Sequence, residues 1–150
     1  MIRAATFALA AVAALGAAQP GSASEQGARD AAAHNALYED AKKLGLSPQS
    51  VSEMYECAAM WDRWIYIVES AADADFVQAL HPELSVGNAK ARRIKWTREA
   101  RRFVDADHDE DYLAENKADA ESEADRRYTR YANGEERGLK TMMEYLGICQ

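Results

Sequence analysis

Glycine and proline are scarce in this chain of 150 residues, which has eight glycines and three prolines. Stretches in which apolar and polar residues alternate, as in strands with one buried face, are absent as well. Alanine, glutamate, lysine and arginine, most of which favour helices, dominate instead. The sequence therefore predicts an all-α fold, a small antiparallel bundle of four main helices and a short fifth.

Motifs of several enzyme and cofactor classes are also missing. The chain has no HExxH metal motif, no CxxCH haem attachment, no GxSxG serine turn and no glycine-rich phosphate loop. Its three histidines, His34, His81 and His108, follow no metal-ligand spacing. These absences favour a non-enzymatic role without a cofactor, although catalytic residues can assemble from distant positions.

The chain also lacks a net basic charge. It has 18 lysines and arginines and 25 aspartates and glutamates, which gives a formal charge of −7. Proteins that bind nucleic acids need a basic face to contact phosphates. We therefore expect no nucleic-acid partner.

The N-terminus is typical of a cleavable secretory signal peptide. Arg3 supplies a positive charge, and residues 4–18 are small and almost wholly apolar. This stretch is too short for a bilayer core, which takes about 20 residues. Small residues allow cleavage after Ala23, which we favour, or after Ala18. A membrane anchor or an ordinary alanine-rich helix is the alternative.

The prediction is thus a signal peptide at residues 1–23 and a single helical domain at residues 24–150. Cleavage would remove one base and no acid, so the charge would become 17 minus 25, or −8. The mature protein is expected to be periplasmic or secreted. Because no later segment is apolar enough to span a bilayer, we expect no stable membrane insertion after cleavage.

Two cysteines, Cys57 and Cys149, lie outside the leader. An even number of cysteines in an exported protein favours one disulfide. The bond would close a loop of about 93 residues and, by chain entropy, stabilise the fold by between about 4 and 5 kcal/mol. Two free thiols or a metal pair are the alternative, but the CxxC spacing or nearby histidines that a metal needs are missing.

The helix boundaries follow from capping residues and helix breakers. A first helix at about residues 25–44 is expected to end at Gly45. The second begins either at Ser47, followed by Pro48, or at Ser50, which forms a capping box with Glu53. It runs to about residue 72, with a short extension through residues 76–80. Its predicted core face comprises Met54, Cys57, Ala58, Trp61, Trp64, Ile65, Val68 and Ala72.

The C-terminal half is divided by charge. A helix capped by Ser85 carries seven bases in residues 90–102, and residues 105–125 hold ten acids against one lysine. We expect a break at residues 105–108, since a continuous helix would bury aspartates, and we expect the two segments to fold back on each other. One long curved helix is the alternative. The next helix is expected to end at Gly134, and a last helix over residues 139–146 at Gly147.

Three groups of residues are candidates for chemistry. The first is a set of aromatic side chains that could line a ligand pocket, namely Tyr55, Trp61, Trp64 and Trp96. Packing of these side chains in the core is favoured over a pocket. Alternating acids could weakly bind a cation: Asp105, Asp107, Asp109 and Asp111. They do not fit an EF-hand, because Glu110 replaces the required glycine and Asn116 the final glutamate, and an N-terminal helix cap explains them better.

Asp62 and Glu69 form the third group, a carboxylate pair seven residues apart on one flank of the second helix. They could perform acid–base chemistry. A solvated or arginine-paired edge is favoured, because nothing places a substrate between them.

The favoured function is binding or interaction, without catalysis, with an unknown protein or small molecule outside the cytoplasm. The alternatives are a small-molecule-binding or metal-binding bundle and an envelope stress chaperone. A hydrolase acting through Asp62 and Glu69 is the least favoured hypothesis.

Overall fold

The computed structural model describes residues 21–104 and 110–150. These ranges contain α-helices and one 3₁₀ turn (Pro82–Leu84) but no strand, which confirms the all-α prediction. No helix within them is both long and apolar enough to cross a membrane. The helices are α1 (Gly21–Lys42), α2 (Val51–Ser70), α3 (Ala74–Ala79), α4 (Val86–Phe103), α5 (Glu110–Ala132) and α6 (Gly138–Ile148).

Helix α2 is the centre of the bundle. Helices α4, α5 and α6 pack against it, while α1 packs against α6 and α3. Because neighbours surround α2, twelve of its residues are buried, and they include every member of the predicted core face except Ala72, which lies beyond the helix end. Burial of this helix supplies much of the apolar contact of the fold.

The second of the two predicted starts of α2 is correct. The Ser50 side chain accepts a hydrogen bond from the Glu53 N–H at 3.2 Å, and the Glu53 carboxylate accepts bonds from the N–H groups of Gln49 and Ser50 at 2.7 and 3.0 Å. The bond from Gln49 is the main reason why the pKa of Glu53 is lowered. This capping box leaves Ser47 and Pro48 outside the helix, so the alternative start was wrong.

The extension predicted after α2 is a separate helix. Helix α2 ends at Ser70, and Asp73 begins α3 by accepting hydrogen bonds from the N–H groups of Asp75 and Phe76 at 2.9 and 3.2 Å. Such an N-cap satisfies donors that would otherwise be free. Phe76 and Leu80 are buried, so the segment still contributes to the core.

Two of the three glycines predicted to end helices do so, and the third does not. Gly45 and Gly134, which follow α1 and α5, both have a φ of 66°, a conformation that glycine adopts without strain. Gly147 instead lies inside α6. A Cβ there would lie 2.5 Å from the Ala41 Cβ and 2.9 Å from the Tyr38 carbonyl oxygen. This glycine therefore permits close packing of α6 on α1.

The two charged segments form separate helices, α4 and α5. The Ser85 side chain caps α4 as predicted, by accepting a bond from the Asn88 N–H at 3.4 Å. Helix α4 ends at Phe103 and α5 begins at Glu110, and the predicted break at residues 105–108 lies outside the described ranges. The two helices do not fold closely onto each other. Each packs along α2 instead, which leaves a groove between them.

Candidate functional site

The three predicted pocket tryptophans lie in the packed core. Trp61 and Trp64 are fully buried, and Trp96 is 5% exposed. The indole N–H groups of Trp61 and Trp96 both donate to the Cys149 carbonyl oxygen, at 2.7 and 2.8 Å. That of Trp64 donates to the carbonyl oxygen of Leu84 at 2.8 Å. Each ring is thus fixed by a backbone acceptor, as expected for buried tryptophans.

The predicted disulfide is confirmed. Cys57 on α2 is bonded to Cys149 at the end of α6, with their Cα atoms 5.3 Å apart. Both cysteines are buried. We call the disulfide, the Cys149 carbonyl and the indoles of Trp61 and Trp96 the Cys149 junction. This junction ties α2, α4 and α6 together.

Tyr55, the fourth predicted pocket residue, lies at a surface groove. This α4–α5 groove has α2 as its floor, α4 and α5 as its walls, and a volume of about 560 Å³. Tyr55 is only 3% exposed, so it forms part of the floor. The groove is lined by Tyr55, Ala58, Ala59, Asp62, Arg63, Arg93, Ile94, Thr97, Arg98, Arg101, Lys117 and Glu121.

The charge of the groove is opposite to that of the chain. Four arginines and one lysine face it, against Asp62 and Glu121, so its formal charge is 5 minus 2, or +3. The whole chain carries −7. A cleft with an excess of one charge concentrates the local field, so the positive excess makes the groove more favourable for anions than the rest of this acidic protein.

One end of the groove is neutralised by a network of ion pairs. The Asp62 carboxylate accepts hydrogen bonds from Arg63 and Arg93, each at 2.8 Å. Arg63 also donates to Asp125 on α5, and this bond is the main reason why the pKa of Arg63 is raised. Since α2, α4 and α5 each contribute to it, the network fixes the spacing of the walls at this end.

Asp62 and Glu69, the predicted carboxylate pair, are held by different bases. Asp62 belongs to the network above, and Glu69 lies 2.7 Å from the Lys90 ammonium group on α4. The arginine-paired edge that the sequence favours for Asp62 is therefore present. Both carboxylates contribute to the attachment of α4 to α2.

The other end of the groove carries positive charge without an acidic partner in the described ranges. Arg98 and Arg101 are exposed on α4 and form no ion pair there, whereas Lys117 on the opposite wall pairs with Glu121. Ile94, on the same wall as the two arginines, is 44% exposed. The groove therefore has two exposed guanidinium groups without an ion-pair partner in the described ranges, beside an apolar side chain and a floor that includes Ala58 and Ala59.

The acidic stretch proposed as a cation site falls mostly outside the described residues. This applies to Asp105, Asp107 and Asp109. Asp111 is exposed in the first turn of α5, where a negative charge is favourable next to the helix dipole.

A different metal-compatible cluster was missed by sequence reasoning. Ligand atoms of Glu39, His81 and Glu83 lie within 4.8 Å of one another. The Lys42 ammonium group, however, lies 3.0 Å from a carboxylate oxygen of both Glu39 and Glu83. These groups come from α1 and from the segment 40 residues later around the 3₁₀ turn, so no local motif could reveal them. The arrangement is explained as an ion-pair network that joins the two segments.

His34 is a further buried polar group that the sequence did not indicate as special. Its Nδ1 lies 2.6 Å from the Asp30 carbonyl oxygen, and its Nε2 lies 2.9 Å from the Tyr131 hydroxyl. Because a carbonyl only accepts, we assign the proton to Nδ1, which donates to Asp30, and the unprotonated Nε2 accepts a hydrogen bond from the Tyr131 hydroxyl. Burial lowers the pKa of His34 and raises that of Tyr131 to about 12. The pair joins α1 to α5 in its neutral form.

No protein-family model matches the chain, and no curated protein or solved structure is significantly similar to it.

Proposed function

We propose that the protein is an exported, non-enzymatic binding protein whose α4–α5 groove takes an anionic ligand. One observation supports this most directly: Arg98 and Arg101 face the groove without an ion-pair partner in the described ranges, although acids outnumber bases in the chain. Guanidinium groups match the planar, forked geometry of carboxylates and phosphates. A bound anion would supply the missing partner.

Export is proposed on two grounds. The first is the charged, apolar and small-residue pattern of residues 1–23. The second is the disulfide, a bond that persists mainly in oxidising compartments outside the cytoplasm.

Binding is tested by titrating isotopically labelled protein with citrate and with inorganic phosphate at low salt, and by following amide chemical shifts. Low salt is used because exposed charges are strongly screened at high ionic strength. We expect concentration-dependent shifts around Arg98 and Arg101, and their loss in the Arg98→Glu/Arg101→Glu variant. If neither these anions nor a helical peptide that carries glutamates changes the amide chemical shifts of the groove residues, the proposed binding site is wrong.

Export is tested by mass spectrometry of the protein recovered from the periplasm or medium of a bacterium that expresses the full chain. A mature N-terminus at Ser24 is expected, and one at Gln19 would indicate cleavage after Ala18. A chain that stays in the cytoplasm and retains the residues of the leader would contradict export.

A further inference from the structure

We infer that the anionic ligand is an acidic helix of a partner protein, which lies along the α4–α5 groove. This inference rests on the proposed function, because it specifies the ligand of the same site. It commits to one binding mode, an amphipathic helix in a groove between two helices.

The first argument is the spacing of the available charges. Arg98 and Arg101 are three residues apart on α4, so they lie on one face with their Cβ atoms about 5–6 Å apart. Two carboxylates at positions i and i+3 or i+4 of a facing helix have the same separation. Such a helix can therefore place one acid against each guanidinium group.

The second argument is the length and floor of the groove. The wall from Arg93 to Arg101 spans eight residue steps, or about 12 Å at 1.5 Å per residue, which corresponds to two turns of a partner helix. Ala58 and Ala59 in the floor have short side chains, which let another backbone approach. Ile94 is exposed on the wall and provides an apolar contact between the helices.

The third argument is the openness of the site. Small-molecule pockets usually bury 70–90% or more of their ligand. Here Ile94, Arg98 and Arg101 on one wall and Lys117 on the other are exposed to solvent. When a helix of a partner protein binds, the rest of that protein can shield the groove from solvent. A small molecule in so open a groove would remain largely exposed to water.

The fourth argument is the distribution of charge. The end of the groove near Asp62 is neutral, because the carboxylates of Asp62 and Asp125 balance Arg63 and Arg93. At the other end, no acid in the described ranges pairs with Arg98 or Arg101. The partner should therefore carry its acids at one end of its contact face and small apolar residues at the other.

The test uses the full mature chain and a synthetic alanine-rich helical peptide with glutamates four residues apart on one face. The matched peptide has glutamine at the same positions. We expect the glutamate peptide to bind at least about tenfold more tightly by fluorescence anisotropy, because charge-assisted hydrogen bonds contribute more than neutral ones. We expect Arg98→Glu/Arg101→Glu to remove binding of the glutamate peptide.

Arg102→Glu is the control variant. Arg102 lies on the same helix and is exposed, but it does not line the groove and pairs with Glu99 at 3.5 Å. It changes the net charge by the same amount per site, so its affinity should stay within about twofold of the wild type if the contacts are local. Circular dichroism establishes that each variant is folded.

The outcomes separate the inference from the proposed function. Citrate or phosphate could shift the amide signals of the groove while the glutamate peptide binds no better than the glutamine peptide. In that case the inference of a helical ligand is wrong, and the groove binds a smaller anion. If the peptide binds Arg98→Glu/Arg101→Glu as well as wild type, the inference is overturned as well. If none of the probes binds, both proposals fail.

Discussion

The Cys149 junction and the α4–α5 groove share the helices α2 and α4, but the polar groups of the junction are buried and paired, whereas two charged groups of the groove are exposed and unpaired in the described ranges. At the junction, the Cys149 carbonyl accepts two indole N–H groups, and every side chain involved is at most 5% exposed. In the groove, the guanidinium groups of Arg98 and Arg101 are exposed and have no ion-pair partner in the part of the chain that the structure describes.

This difference separates stability from binding. Buried polar groups that are fully paired specify one arrangement of the helices, and removal of a partner leaves a costly unsatisfied group. Exposed charges contribute little to stability and remain available for a ligand. Substitutions at the junction should therefore lower the free energy of unfolding, whereas substitutions of Arg98 and Arg101 in the groove should change binding with little effect on stability.

The largest effect is expected from removal of the disulfide. The Cys57→Ala/Cys149→Ala variant releases a loop with a sequence separation of 92 residues, so the free energy of unfolding should fall by about 2–5 kcal/mol. Chemical denaturation followed by circular dichroism measures this loss. A variant as stable as the wild type would show that the other contacts of the junction are sufficient to hold α6.

The next effect concerns the two indoles that share one carbonyl. Either Trp61→Phe or Trp96→Phe leaves the Cys149 oxygen with one donor, whereas the double variant removes both donors. The double variant should therefore lose about 1–3 kcal/mol more than the sum of the two single variants, because only it leaves a buried carbonyl unpaired. Additive losses in a double-mutant cycle would mean that water replaces the missing donors.

A smaller effect, with a distinct pH dependence, is expected at His34. Burial lowers its pKa in the folded protein below the ordinary value of 6.5, so the unfolded chain binds the additional proton. The His34 contribution to stability is complete above about pH 6.5 and is lost as the pH falls from there towards the lowered pKa. Thermal unfolding between pH 7.5 and pH 5 should show this loss.

His34→Gln is the control for this pH dependence, because glutamine can form hydrogen bonds but does not titrate. The stability of this variant should therefore depend less on pH than that of the wild type between pH 7.5 and pH 5. Glu53, whose pKa is lowered mainly by the Gln49 N–H, acts in a separate window below about pH 4.5. An equal slope for wild type and variant between pH 7.5 and pH 5 would assign the pH dependence to another group.

Local patterns in the sequence were sufficient for the central helix and its cysteine. A strong helical periodicity identified the core face of α2, on which Cys57 lies. The even number of cysteines in a chain expected to be exported predicted the bond between Cys57 and Cys149. The start of the helix remained ambiguous between Ser47 and Ser50. The choice depended on whether the Glu53 side chain reaches back to the preceding N–H groups, which is a property of the folded turn.

The groove could not be predicted because it depends on the placement of whole helices. Opposite charges led us to expect contact between α4 and α5, but packing of each against the apolar α2 prevails, since exposed ion pairs contribute little energy. Gly147 shows the same limitation: its sequence context suggests a helix end, and only the position of α1 explains why a side chain is excluded there.

The smallest effect on stability is expected in the groove itself, where Arg98→Glu/Arg101→Glu should change the free energy of unfolding by less than about 0.5 kcal/mol per substitution. Both side chains are exposed and form no ion pair in the described ranges, so their reversal breaks none. Of the two, only Arg101 lies in the last turn of α4, where the interaction of an exposed base with the helix dipole contributes about 0.3 kcal/mol. The Cys57→Ala/Cys149→Ala variant serves as the reference for a large change in the same denaturation experiment. A loss of several kcal/mol on charge reversal would mean that the two arginines hold the fold together, and the division between a stabilising junction and a binding groove would then be wrong.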